Sequence, residues 1–280
     1  MTRTLGGGSL AVGLSTFLAV AACATAPATT PSPSPASIDP NVALVRIDEA
    51  GGMLPLWVTL EWYPAVAVYA DGRVIMLGPV DDMYPGLALP NLTVTRVTQA
   101  GLAQILDLAA SAGLRGPDRT LGEPSLDAGT TNFTVVTPDG RHVTQVASIS
   151  DADPSIAALR QFRDALLGLR TWLGAEVVGD DQPYAWDRLR LISSVADPEQ
   201  APDPQLTTIL DWPLEPLAGL GVALDEQDGY RCGLVDGADL DTLRPALATA
   251  NELTLWRSEG QTYALALHPL LPDEEPCPGT

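Results

Sequence analysis

The chain is 280 residues long and 46% hydrophobic, which supplies a buried core for one large or two small domains and excludes a disordered polymer. Thirty-five acidic against fifteen basic residues leave a formal charge of -20, so phosphate backbones are repelled and no nucleic acid is expected as a partner. Every basic residue is arginine, which a GC-rich genome explains; the absence of lysine still removes Walker A, Schiff-base and Ser-x-x-Lys chemistry, each of which needs an amine able to lose its proton.

The first element is an apolar run from Leu5 to Ala22, broken only by Gly, Ser and Thr and preceded by a single base, Arg3. A basic flank, an apolar stretch and small residues ahead of a cleavage point make a secretory signal, although the run also has the length of a membrane span. It ends in Val20, Ala21, Ala22 and Cys23, and this order resembles the lipobox of bacterial lipoproteins. The resemblance covers residues 1–23 alone. It implies that residues 1–22 are a signal peptide, that the Cys23 sulfur carries diacylglycerol, and that Cys23 becomes an acylated N-terminus. A conventional signal peptide cut near "ACA" or "ATA", or an uncleaved anchor, remain as alternatives on the residues. Several acyl chains hold a protein durably on a bilayer, since each buried methylene contributes about 0.8 kcal/mol. Residues 23–40 follow with five prolines and no apolar periodicity, the composition of an extended tether.

In the body, three β-prone pairs flank tight turns: "AVAVYADGRVIML", "NFTVVTPDGRHVTQV" and "LTLWRSEGQTYALAL". Each is expected to form a hairpin, the Asp-Gly pairs in type I' turns and Ser258-Glu259-Gly260 in a longer bulged turn. Val66 and Val68 alternate with Ala67 and Tyr69, as in a sheet with one better-buried face. Between the hairpins lie helices. One starts after Thr98 as N-cap, places Leu102, Ile105, Leu106, Ala109 and Ala112 on one stripe, and stops at Gly113. A second starts at Asp153-Pro154 and runs through Ile156, Leu159, Phe162, Leu166 and Leu169 to Gly174. A third spans about Asp239 to Ala250. The polar stretch from Gly174 to Asp187 reads as an irregular boundary. The expected class is therefore α+β, antiparallel hairpins packed with a few helices, in two small domains over 41–174 and 183–280.

Candidate chemistry is sparse. His142, beside the Asp139-Gly140 turn, reads as a surface residue, and His268, before a proline, as a packing residue of the tail. No H-E-x-x-H, G-x-S-x-G or G-x-G-x-x-G motif occurs. Paired carboxylates for hydrolysis are represented best by Asp81-Asp82, on a loop with Met83 and Tyr84. Asp225, Glu226, Asp228, Asp236, Asp239 and Asp241 offer oxygen ligands for calcium but miss the EF-hand spacing. Trp57, Trp62 and Tyr63 serve either as core filler or as the lining of a ligand groove. With Cys23 acylated, Cys232 and Cys277 remain to form a disulfide, whose loop of about 46 residues corresponds to about 4 kcal/mol on the chain-entropy model. No catalytic residue, metal site or cofactor is assigned. The expectation is a binding or assembly lipoprotein of the cell envelope, held by palmitate-type acyl chains on the extracytoplasmic face of the cell membrane, with a protein or small-molecule ligand; a carboxylate hydrolase and a cation-binding module are the alternatives.

Overall fold

The computed structural model describes residues 38–51, 54, 59–80, 82–122, 129–147, 149, 153–225 and 229–277. Cys23, Trp57, Asp81, Glu226 and Asp228 lie outside the described residues. All three expected hairpins form. Strand β2 (Val66–Tyr69) pairs with β3 (Arg73–Leu77), β6 (Thr130–Thr137) with β7 (Gly140–Ala147), and β13 (Leu255–Ser258) with β14 (Gln261–Pro269).

Their turns exchange the expected types. In the Asp-Gly turns only the glycines have positive φ, 83° at Gly72 and 139° at Gly140. Pro138 holds its own φ negative, so the turn before Gly140 cannot be type I', and glycine instead takes the left-handed position that follows the turn. The two-residue turn with both centres at positive φ is Glu259 (49°) and Gly260 (77°), between the paired Ser258 and Gln261.

Residues 38–280 group as one compact unit that holds two sheets in consecutive stretches of chain. The first has eight strands in the order β5-β7-β6-β1-β2-β3-β4-β8, where β1 is Ala43–Ala50, β4 Leu92–Val97, β5 Arg119–Leu121 and β8 Val177–Pro183. The second has six, β10-β13-β14-β9-β12-β11, where β9 is Arg188–Val195, β10 Ile209–Asp211, β11 Val222–Asp225 and β12 Tyr230–Asp236. Two edge strands depart from the antiparallel expectation: β5 runs parallel to β7 and β10 parallel to β13, because long connections return the chain to those edges in the same direction. The polar boundary stretch is a second departure. It forms β8, whose almost wholly exposed residues pair through their backbone with β4. Exposed acids on an edge strand discourage pairing with another chain.

Helix α1 (Gln99–Ser111) begins where the Thr98 side chain accepts the Gly101 N–H at 3.1 Å, and it ends at Gly113 with φ of 74°. The second expected helix is interrupted. A 3-10 turn at Pro154–Ile156 leads into α2 (Ala157–Leu167), Gly168 breaks the run, and α3 (Leu169–Leu173) completes it. Leu102, Ile105, Leu159, Phe162 and Leu166 pack on Val45, Ile47, Val66, Val68, Phe133 and Val135 of the first sheet. Each such side chain contributes about 1.5–3 kcal/mol on burial. Strand β2 is buried on both faces, because Ala67 and Tyr69 join a separate cluster with Ala43, Ile75, Leu92 and Leu271. On the second sheet, α4 (Gly237–Leu247) lays Leu240, Leu243 and Leu247 over Leu189, Leu191, Val235 and Trp256. No helix among the described residues is long and apolar enough to cross a membrane.

Candidate functional site

The face of the first sheet away from its helices meets the chain's C-terminal tail. Strand alternation turns Arg46 of β1 away from the core residues Val45 and Ile47, and the tail supplies its partners. Arg46 pairs with Asp48 at 2.7 Å, Glu274 at 2.9 Å and Asp273 at 3.2 Å. Burial opposes its charge, but the three carboxylates outweigh that and raise its pKa. Asp273 also accepts the Tyr69 hydroxyl at 2.6 Å. Glu274 accepts from the Leu271 N–H at 3.0 Å and lies 2.9 Å from His268 Nε2. Burial alone would raise its pKa; the His268 hydrogen bond and charge, with Arg46 and the Leu271 N–H, hold it down at about 2.

His268 is buried, as its place beside a proline suggested. Its ring stacks on Tyr63 at 4.0 Å, and Nδ1 faces the Glu61 carbonyl oxygen at 3.3 Å. With Nε2 on Glu274, neither ring nitrogen is open to a nucleophile, so this His-carboxylate pair is a brace and not a catalytic base. Tyr63 donates to the Pro269 carbonyl at 3.0 Å, and Arg190 donates to the Leu60 and Glu275 carbonyls. Cys232 of β12 and Cys277 of the tail meet at a disulfide distance of 2.03 Å. The tail is thus fixed to both sheets.

A second tie lies elsewhere on the seam. Gly86 donates its N–H to the Glu252 carboxylate at 2.7 Å and accepts the Glu252 N–H at 3.0 Å, and Leu87 forms an isolated bridge with Asn251. Residues of both sheets, and of the loops beside these ties, line an open cleft of about 900 Å³. Its wall includes Trp62, Tyr63, Leu77, Pro90, Ile192 and Leu267, and its charged groups are Glu49, Glu61 and Glu252. Glu61 has no hydrogen-bond or ion-pair partner for its carboxylate among the described residues, and burial raises its pKa. The sequence shows why there is space. Along β14, Tyr263, Leu265 and Leu267 pack on the second core, Leu265 and Leu267 also reaching the cleft, and the alternate Ala264 and Ala266 line the cleft opposite Ser194 and Ile192 of β9. Small side chains on one face of two paired strands leave a gap that larger ones would fill.

The other candidates are dispersed. His142 is partly buried and braces a hairpin, with Nδ1 3.0 Å from the Gly116 carbonyl oxygen and Nε2 3.3 Å from the Thr137 hydroxyl. Asp82, Met83 and Tyr84 are exposed on their loop and do not line the cleft. Asp225 ends β11; Asp236, Asp239 and Asp241 are exposed at the start of α4, where Asp241 lies 3.7 Å from Arg244. Among the described residues no group of three His, Cys, Asp or Glu side chains is placed to hold a metal ion. Trp62 and Tyr63 do meet at the cleft. Glu49, Glu61 and Glu252 belong to no motif that marks them in the sequence, although Glu61 sits within "LEWYP", beside Trp62 and Tyr63.

No family model matches the chain, and no curated protein or solved structure is found to be similar to it.

Proposed function

We propose that the protein is a lipid-anchored binding protein on the extracytoplasmic face of a bacterial cell membrane, its two sheets acting as two small domains that hold a ligand between them. The observation that carries the binding role is the cleft of about 900 Å³, built by both sheets and walled mainly by apolar and aromatic side chains. Small-molecule sites are concave, largely apolar, commonly about 300–1,000 Å³ and often placed at junctions between structural modules. Anchoring through Cys23 is supported by the Val20–Cys23 pattern and by the proline-rich tether after it. A disulfide between Cys232 and Cys277 suits an oxidising compartment.

The test is metabolic labelling with palmitate in the native host, followed by fractionation and by protease added to intact cells. The wild type should carry label, sediment with membranes and be digested from outside. Cys23→Ser should lose label and sediment poorly. An unlabelled wild type, or a body shielded from external protease, refutes the assignment.

One observation favours a second reading, hydrolysis by paired carboxylates. Glu61 shares a concave cleft with Glu49 and Glu252, and burial raises its pKa, as in sites where one carboxyl stays protonated beside an ionised one. Turnover of a chromogenic glycoside that disappears in Glu61→Gln would replace binding by hydrolysis.

A further inference from the structure

We propose that the cleft takes a small organic cation with an apolar body, its ammonium group held at Glu61 and its body laid along Ala264, Ala266, Ile192 and Leu77. This rests on the reading of the cleft as a ligand site and adds the chemical class. The first argument is charge. Every charged side chain among the described lining residues is a carboxylate, and none of those residues is arginine or histidine. An anionic ligand would meet repulsion with no compensating positive charge among the described lining residues, whereas a cation would meet complementary charge from the lining and from a chain of formal charge -20.

The second argument is what Glu61 lacks. Glu252 already receives the Gly86 N–H, so one of its oxygens has a protein partner. The Glu61 carboxylate has lost water without gaining any such contact among the described residues, and burial by itself accounts for its raised pKa. A half-buried carboxylate left unpaired is destabilised, and an arriving ammonium supplies the missing charge-assisted hydrogen bond. The third argument is the wall. Trp62, Tyr63 and Tyr230 bring aromatic rings to the same cleft, and such rings suit the apolar body of an amine and attract its charge. Fully hydrated inorganic cations would gain nothing from such a wall.

The experiment uses three probes of closely similar shape: 4-phenylbutylammonium, whose N–H groups can donate to Glu61, the neutral 4-phenylbutan-1-ol and the anion 4-phenylbutyrate. Each is titrated calorimetrically into the full-length, detergent-solubilised protein with its disulfide intact. The cation is expected to bind about tenfold more tightly than the alcohol, the size of one charge-assisted contact, and the anion more weakly than either. Glu61→Gln should erase the cation's advantage and leave the alcohol unchanged. It keeps the side-chain shape and breaks no side-chain hydrogen bond among the described residues. Ala266→Trp should fill the cleft and abolish binding of cation and alcohol alike, with Ala264→Leu as the second blocking variant should the first fail to fold. Equal affinity for cation and alcohol, or a cation affinity indifferent to Glu61→Gln, overturns the cation class while the cleft stands as a ligand site. Binding of no probe, or binding indifferent to a folded blocking variant, overturns the ligand site as well.

Discussion

Glu274→Gln removes one negative charge from the centre of the seam and leaves the volume of the side chain in place. In the folded protein this carboxyl is held at about 2 against an ordinary value of 4.5, and its side chain is only 8% exposed. A folded-state value below the unfolded one contributes stability that is fully present above about 4.5 and is lost as the pH falls towards 2. At about 1.36 kcal/mol for each pH unit of displacement, the contribution at pH 7 is about 3 kcal/mol, and at pH 3 it falls to about 1 kcal/mol. Losing one partner from a buried charge network is known to cost a similar amount, because the remaining charges stay buried. Here Arg46 retains Asp48 and Asp273, but His268 loses its one carboxylate. For a folded unit of this size, about 3 kcal/mol lowers the melting temperature by roughly 6–12 °C. The assay is urea unfolding of wild type and variant at pH 7, 5 and 3. Taking the difference between the two proteins cancels the titrating groups that do not interact with Glu274. A penalty below about 0.5 kcal/mol at pH 7, or one that stays constant down to pH 3, refutes the view that the seam is held electrostatically.

Cys277→Ser frees the tail from β12, and a closed loop with a separation of 45 residues predicts a loss of about 4 kcal/mol, read by denaturant unfolding. The variant should also become sensitive to protease between Leu270 and Glu275, and a tail that stays protected would show that the contacts of Arg46, of Arg190 and of Arg188, which donates to the Leu271 and Glu274 carbonyls, suffice. Phe162→Ala opens a cavity where the ring packs against Phe133 at 6.2 Å, at a cost of about 3–5 kcal/mol. Leu167→Ala, on the exposed side of the same helix, should change stability by less than about 0.5 kcal/mol, and near-equal effects would contradict the assignment of the helix's buried face.

What was legible in the sequence was local. Thr98, Gly113, Asp153-Pro154 and Gly174 mark helix limits because caps and stops depend on a few neighbouring atoms. The hairpins follow from β-prone runs about a glycine turn, though choosing the turn type required weighing Pro138 against Asp139-Gly140. Strand β8 was hidden because Gly-Asp-Asp-Gln-Pro carries no apolar alternation; its order comes from backbone pairing with β4 and from Asp181, which meets both Arg170 and Thr95. Gly168 interrupts a helix whose apolar stripe continues on both sides, so periodicity alone joined two elements into one. The parallel edges β5 and β10 depend on where the chain returns after long connections, which no short window of sequence encodes.

The cleft shows how a site can be written in residues that look ordinary. Alternating bulk in "TYALALH" reads as a strand with one heavy and one light face, and by itself the light face of Ala264 and Ala266 implies only weaker packing. It becomes a cavity because a second sheet approaches on that side and is kept there by two ties, the tail with its disulfide and the Gly86–Glu252 contact. A seam closed by apolar contacts alone would collapse onto the small residues, since interiors pack to high density. Ties at separate points fix the spacing instead, and the groups between them stay open. The same logic accounts for Glu61, whose backbone carbonyl braces His268 while its carboxylate is left to the cleft. Cutting the tail tie should therefore loosen ligand affinity and stability together, whereas Glu61→Gln should weaken affinity for the cation without loss of stability, because it removes a carboxylate that burial disfavours.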